Sequence, residues 1–430
     1  MSGLVAASPK AGVRVILASV IGNALEWYDF TVYAFLATII GAHFFPHASQ
    51  TAALLQTFAV FGVGFVARPL GGVLIGLFGD RVGRKPALLL TIGLMALGTG
   101  LIGLLPGYDS IGVWAPLLLV MARALQGFSA GGEWGGSASF LVEWAPGARR
   151  GLFGSFHPGS IFLGQLVGTG VSYLLVEVLG DGAMRDWGWR VPFLLGMLIG
   201  PLGLLARRGI GETPVFLAAQ DLAKNVAPGS AAPPGRLGLR ALLFAFCLVA
   251  VQSAAIYIYL SYFPTFLQHH AGRSASQALG ATALSTVATG LAVVGSGALS
   301  DRIGRKPILL ASCVMFLLFS TPLVWLILHG ASPWQATLIQ SALSANCGLF
   351  IGSMTVALVE MFPTRHRLTG LSTAYNLASM VFGGFAPFIA TGLIALTGTP
   401  IAVSYYVVLA ALVSLPAVLA FRETAGRSLD

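Results

Sequence analysis

Charge is what this sequence has least of. Of its 430 residues only 9% are charged and 15 are acidic, against roughly 25% charged in soluble globular domains. With 56% hydrophobic residues and a mean hydropathy of +0.84, the composition excludes a set of water-soluble domains and fits a polytopic membrane protein. Cysteine is scarce as well. Cys247, Cys313 and Cys347 all lie in apolar runs, which excludes a disulfide framework or a cysteine metal site and leaves packing or lipid contact. Metal-ligand and nucleophile–base patterns are missing: there is no HExxH, and His269–His270 has no matching partner. An intramembrane enzyme is therefore disfavoured, and no metal or cofactor is expected. A short h-region with a small-residue cleavage site is missing too, so the first apolar run is expected to remain in the mature protein.

What is present is length in apolar runs. A spanning helix needs about 20 apolar residues, and about twelve such segments can be laid along the chain: 14–44, 51–78, 86–105, 112–143, 149–179, 187–206, 239–268, 275–299, 306–328, 333–362, 367–396 and 400–421. The net charge of +9 collects in alternate breaks, at Lys10 and Arg14, Arg81 to Lys85, Arg149–Arg150, Arg207 to Arg240, Arg302 to Lys306, Arg365–Arg367 and Arg422–Arg427. The opposite breaks hold only Arg185, Arg190 and Arg273. Positive charge marks the cytoplasmic side, so both termini are expected there, and the basic excess implies a lipid bilayer and not a nucleic acid as partner.

The chain repeats itself. GLFGDRVGRKP (76–86) returns as GALSDRIGRKP (297–307), and VEWAPGARRGLFGS (142–155) as VEMFPTRHRLTGLS (359–372). The offsets, 221 from Asp80 to Asp301 and 217 from Glu143 to Glu360, agree to about one helical turn. Two six-helix halves follow, at 1–206 and 239–430, around a Pro-, Gly-, Ala- and Ser-rich linker at 207–238 that cannot build a core. Repeated halves are the architecture of secondary transporters that rock about a site at the bilayer midplane.

Five ionisable residues fall inside the apolar runs: Glu26, Asp29, Arg68, Arg123 and Glu133. Each costs up to about 3.5 kcal/mol at a helix centre and so points to a function or a partner. Glu26, Asp29 and Tyr33, at i, i+3 and i+7, predict one face turned to a cavity, with Trp27, Tyr28 and Phe30 packing elsewhere. Arg123, Gln126, Ala130, Glu133 and Ser137 predict a polar stripe on helix 4, beside Gly127, Gly131 and Gly135, whose spacing admits a close neighbour. Ion pairs that only fix helix packing are the plain alternative for any one of them. Two cations face three acids, and the odd acid is the expected proton carrier. Asp29 is read as the principal proton site, with Glu26 as its partner and Glu133 held beside Arg123.

The motifs quoted above, with RALQGFSAGGEWGG (123–136), resemble the signature A and B sequences of the major facilitator superfamily. More narrowly, EWYDF (26–30), VARPLGG (66–72), DWGWRVPFLLG (186–196), GETP (211–214) and the run FPTRHRLTGLSTAYNLASMVFGGFAP (362–387) resemble the metabolite:proton symporter family. The resemblance covers nearly the whole chain. It implies an all-α fold of twelve transmembrane helices in two six-helix bundles, and proton-driven uptake of small carboxylates such as citrate or of zwitterions such as proline and betaine. It further implies a conformational latch: Asp80 against the start of helix 11 near Thr369 and Gly370, and Arg84 against Glu143. Arg81 stands in that motif, and Asp301, Arg302, Arg305 and Glu360 repeat it in the second half, where the partner loop matches less completely and Asp301 is expected to weigh less.

The arginines suit an anion, because a guanidinium fork binds carboxylate bidentately; Arg68 is the first choice and Arg123 the second. Gln126, His157, Tyr257, Tyr375 and Asn376 are further solute-contact candidates, with Tyr259, Tyr262 and Asn346 behind them; an interfacial belt is the other reading of the tyrosines. His157 is equally readable as a packing residue at a helix bend. A small organic acid is thus the expected solute and a zwitterion the alternative, with export on the same fold as the main rival. The chain ends about nine residues after helix 12, which argues against the osmosensing members with long C-terminal extensions. A monomer working with protons, a small solute and lipid is expected.

Overall fold

A computed structural model describes residues 23–24, 26–46, 49–82, 84–131, 134–143, 145–208, 239–362 and 367–427. Among these, every regular element is helical: twelve main segments follow one another, with a short helix, Tyr108–Ile111, between the third and the fourth. α1 is the helix over 26–35, which turns at Leu36 and continues as Ala37–Phe44. α2 is Gln50–Val82, α3 Arg84–Leu104, α4 Trp114–Gly131 followed by Trp134–Glu143, α5 Arg150–Ala183 and α6 Arg190–Arg208. In the second half α7 is Leu239–Ile256, which passes through a π-helical turn, Tyr257–Tyr262, into Phe263–His270. α8 is Ala275–Ile303, α9 Arg305–Leu328 and α10 Pro333–Met361. α11 runs as Arg367–Ala378, a π turn at Ser379–Gly384 and Ala386–Thr397, and α12 is Ala402–Ala420.

Eight of these helices are long and apolar enough to cross a membrane on their own. The apolar part of α3, Leu89–Leu104, is shorter; α6 carries Arg190, Arg207 and Arg208 at its ends; and undescribed residues border α1 and interrupt α4. Residues 14–22 of the first predicted segment lie outside the described part; otherwise the predicted segments fall on the observed helices with shifts of a few residues. Of the predicted linker, residues 209–238 lie outside the described part.

Two surfaces explain why these sequences pack as they do. Large aliphatic side chains such as Leu70, Val73, Leu104, Val178, Leu291 and Leu396 point outward, as lipid contact allows. Inside, glycines and hydroxyls bring backbones together, since lipid supplies no hydrophobic drive between helices. A Cβ on Gly127 of α4 would lie 1.6 Å from the Gly64 carbonyl oxygen of α2, and one on Gly131 would lie 1.9 Å from that of Arg68. On α8, the hydroxyls of Thr282, Ser285, Thr286 and Thr289 donate to carbonyls four residues back, which satisfies them without water. Cys313 and Cys347 are buried and Cys247 half-buried, as packing residues.

The halves meet mainly along α5 against α8 and α2 against α11. At one end of the first pair Glu177 accepts from the Ser276 hydroxyl, and at the other the Asp301 carboxylate receives the Gly151 and Leu152 amides at 2.7 and 2.9 Å. Along the second, Phe385 packs on Gly62 and Phe65 on Gly384. The interface is therefore joined at both ends.

Candidate functional site

The midplane charges arise from local chemistry on α1. Glu26 and Asp29 are three residues apart, about 60° around a helix, and that difference decides their surroundings. Glu26 turns to α2, where its Oε1 is 3.8 Å from Arg68 Nη2. Asp29 turns away from the meeting of the halves, between α3 and α6: its Oδ2 accepts the Thr99 hydroxyl at 2.5 Å. On α6, a Cβ at Gly196 would come within 2.5 Å of Oδ1. The predicted common face toward a cavity is thus corrected. Tyr33 also goes its own way, donating to the Thr57 carbonyl of α2.

Both arginines are sealed in: Arg68 is 2% and Arg123 0% exposed. Their compensation is partly aromatic, through cation–π contacts worth about 2 kcal/mol when desolvated. The Arg68 guanidinium lies 4.3 Å from the Phe65 centroid, 4.7 Å from Phe30 and 5.7 Å from Trp27. Arg123 lies 4.4 Å from Tyr33, 4.7 Å from Phe30 and 5.0 Å from Phe61. Phe30 thus touches both cations, a role that sequence reasoning gave up to packing. The signal was an aromatic set between the two acids of EWYDF, in a chain with two intramembrane arginines. Among the described residues, Arg68 Nε and Nη2 and Arg123 Nε and Nη2 make no hydrogen bond. Glu133 lies outside the described residues, so the described charges number two cations and two acids.

Arg123 is tied to Asp29 indirectly. Its Nη1 donates to Gln126 Oε1 at 2.6 Å, and Gln126 Nε2 donates to Thr99 Oγ1 at 2.7 Å. Both ends of the Gln126 amide are used, so here it connects Arg123 to Thr99. Thr99 went unnoticed in the sequence because one threonine in an apolar run carries no pattern.

A small cavity of about 10 Å³ remains where the halves meet, lined by Trp27 (α1), Trp134 (α4), Phe162 (α5), Gln252 (α7), Met354 (α10) and Tyr375 (α11) among others. It is of water size. Tyr375 stacks on Trp134 across the halves, with centroids 3.6 Å apart and planes at 9°. Tyr257, in the π turn of α7, is buried against Phe65, Phe61 and Trp27, and Tyr259 and Tyr262 are buried as well; the belt reading is corrected. His157 is buried inside α5 with its ring edge-on to Trp134 at 5.2 Å. Asn376 donates to the Gly131 carbonyl at 3.2 Å, joining α11 to α4, and Asn346 is engaged with Ser312 of α9. These two asparagines are helix-joining residues in this form.

At the arginine-rich end, the side chains of Asp80, Arg81, Arg84 and Glu143 lie outside the described part, as does Thr369. Their second-half counterparts are complete. The Asp301 carboxylate caps the N-terminus of α5, where it gains up to about 2 kcal/mol from the helix dipole. Arg305 reaches Asp301 at 3.0 Å and Glu360 at 3.2 Å. Arg302 is exposed and stands apart from this network. Residues after α12 join it, where the Glu-Thr of GETP (211–214) recurs as Glu423–Thr424. The Thr424 hydroxyl donates to Glu360 at 2.6 Å, and Arg150 Nη1 donates to the Arg427 carbonyl at 2.6 Å. Glu423 accepts the backbone N–H groups of Arg305 and Lys306, each at 3.0 Å. Burial pushes the Glu423 carboxyl up, but four backbone N–H donors outweigh it and hold it below the usual glutamate value.

Twelve main helices in two joined halves, buried midplane charges and a charged cluster at one end fit a membrane transporter. The comparisons agree. The family model "Sugar (and other) transporter" matches residues 15–229 and "Major Facilitator Superfamily" matches 245–429. A citrate-proton symporter of Klebsiella pneumoniae is 38% identical over 412 residues, covering 96% of this chain and 92% of that protein. A proline/betaine transporter of Escherichia coli (strain K12) is 35% identical over 427 residues, covering 97% and 84%. Among solved structures, the xylose transporter XylE of E. coli, in a partially occluded inward-open conformation, superposes with a TM-score of 0.78 at 21% identity, over 97% of this chain and 99% of that one. The chain belongs to the major facilitator superfamily and, within it, to the metabolite:proton symporter family. It is a multi-pass protein of the cell membrane, with relatives in bacteria.

Proposed function

We propose that this transporter takes up a small organic acid, a mono- or dicarboxylate, together with protons by alternating access. The observation that carries the reading is the pair of buried guanidinium groups, Arg68 and Arg123, each with N–H donors that make no hydrogen bond among the described residues. A carboxylate entering between the halves would satisfy them bidentately, with Arg68 as the nearer choice because its aromatic neighbour Trp27 lines the cavity. The citrate-proton symporter relative supports an acid. The proline/betaine relatives, and a cavity with Trp27, Trp134 and Tyr375 in its wall, support a second reading, a zwitterion whose cationic end rests on aromatic faces.

Asp29 is the proposed proton site, with Glu26, ion-paired to Arg68, as its partner and Glu133 as the third acid. The halves 1–206 and 239–430 would rock as units about the 207–238 linker in a monomer. The Asp301–Arg305–Glu360 cluster, with Asp80, Arg84 and Glu143 in the corresponding loops, would latch the cytoplasmic side. The test is uptake of labelled citrate, 2-oxoglutarate, proline and betaine by proteoliposomes under an imposed proton gradient. Citrate or 2-oxoglutarate should accumulate and leak out when a protonophore is added. Best accumulation of betaine or proline would sink the acid reading in favour of the zwitterion, and accumulation against the sense of the proton gradient would indicate export.

A further inference from the structure

We infer that Thr99 is the positioning residue through which the charge on Asp29 is felt at Arg123. This deepens the proposed symport, on which its functional meaning rests, by naming the link between the proton site and the solute site. Three bonds form one directed chain. Arg123 Nη1 donates to Gln126 Oε1, Gln126 Nε2 donates to Thr99 Oγ1, and the Thr99 hydroxyl donates to Asp29 Oδ2. A hydroxyl has one hydrogen, so with that hydrogen given to Asp29 the Thr99 oxygen can only accept from Gln126. Reversing the Gln126 amide would set its NH2 group against a guanidinium, which only donates. The order is therefore fixed from one end to the other.

The surroundings are shaped for this chain. At Gly196 of α6 a Cβ would lie 2.5 Å from Asp29 Oδ1 and 2.8 Å from Thr99 Cγ2, and at Gly98 of α3 one would lie 2.7 Å from Gln126 Cγ. The charged or titratable groups facing Asp29 are few. α4 presents Arg123, and α1 presents Tyr28, whose hydroxyl donates to the Pro192 carbonyl. α3 and α6 present Thr99 and Gly196, neither of which titrates.

A proton from water adds to a lone pair of Asp29 Oδ1, the carboxylate oxygen that makes no hydrogen bond among the described residues. The carboxylate becomes a neutral acid and no bond in the protein breaks. Thr99 then donates to a neutral acceptor, and the bonds behind it lose the charge that strengthened them. Arg123 is left as a buried cation without its balancing anion, and a solute carboxylate restores the balance. Proton and anion thereby raise each other's affinity by the same factor, as linkage requires.

The test needs no solute. The full-length protein in liposomes is titrated with protons while infrared difference spectra follow the carboxylic acid C=O band that disappears in Asp29→Asn. In Thr99→Val the volume stays and the hydroxyl goes, so Asp29 loses a hydrogen bond to its charged form and should bind the proton about tenfold more tightly. Thr99→Ser should restore the wild-type midpoint, and Gln126→Leu, one link further on, should shift it in the same direction by less. Equal midpoints in wild type and Thr99→Val would overturn the inference. So would equal shifts in Thr99→Val and Thr99→Ser, which would mark repacking, or the lack of any Asp29-dependent band. Failure of the wild type to transport citrate or proline would count against the proposed function and leave this titration readable.

Discussion

At the residue scale the account turns on two arginines and the aromatic side chains around them. Arg68 has a loose acid partner at 3.8 Å and two nitrogens free of hydrogen bonds among the described residues, an arrangement that suits a transient ligand more than a permanent ion pair. Arg68→Lys keeps the charge and loses the planar fork. Calorimetry should show roughly tenfold weaker citrate binding, as expected for one lost charged hydrogen bond; binding as tight as wild type would remove Arg68 from the solute site. The sequence disclosed that Arg68, Arg123, Glu26 and Asp29 are intramembrane charges, because hydropathy alone isolates them. Their pairing stayed hidden. A spacing of three residues reads as one face on a helical wheel, yet the remaining 60° sends Asp29 to Thr99 and Glu26 to Arg68. Thr99 sits on a different helix, and only packing could reveal it.

At the scale of elements, glycine decides how close helices come. Gly127→Ala would place a methyl group 1.6 Å from the Gly64 carbonyl oxygen, so α2 and α4 must part. Overpacking of this kind costs about 1–3 kcal/mol, and the detergent-purified variant should melt at a clearly lower temperature than wild type. The four-residue glycine repeat made this contact legible in the sequence. The clamp around Asp301 was legible only in part: the repeated motif named Asp301, Arg305 and Glu360, whereas Glu423 and Thr424 follow α12, where only the Glu-Thr pair of GETP (211–214) returns and is too short to stand out alone. Asp301→Asn should increase labelling of a cysteine probe placed at the arginine-rich end, because two amides at the start of α5 lose an anionic acceptor; unchanged labelling would reduce the motif to a topology anchor. Glu423 adds a pH dependence. Its carboxyl titrates below the ordinary value in the folded chain, so its contribution is complete above the unfolded value of about 4.3 and is lost as pH falls through the lowered one. The difference in melting temperature between wild type and Glu423→Gln should therefore be constant from neutral pH to about 5 and shrink in stronger acid.

For the molecule as a whole, duplication, composition and the alternation of basic breaks made the twelve-helix plan readable, since each follows from what a bilayer permits. The seating of the halves was not readable, because it depends on contacts between residues of opposite halves: Asp301 with Gly151, Tyr375 with Trp134, and Asn376 with Gly131. The central claim is that a proton taken up at Asp29 drives the solute. It is tested most directly in proteoliposomes by comparing gradient-driven accumulation with solute exchange in Asp29→Asn, using whichever of citrate, 2-oxoglutarate, proline or betaine the wild type concentrates. Asparagine mimics the protonated acid, so the variant should exchange internal for external solute at a rate near wild type and fail to accumulate it under a proton gradient. Accumulation to wild-type levels by Asp29→Asn, and again by Glu26→Gln, would contradict the claim and leave both acids with a structural role.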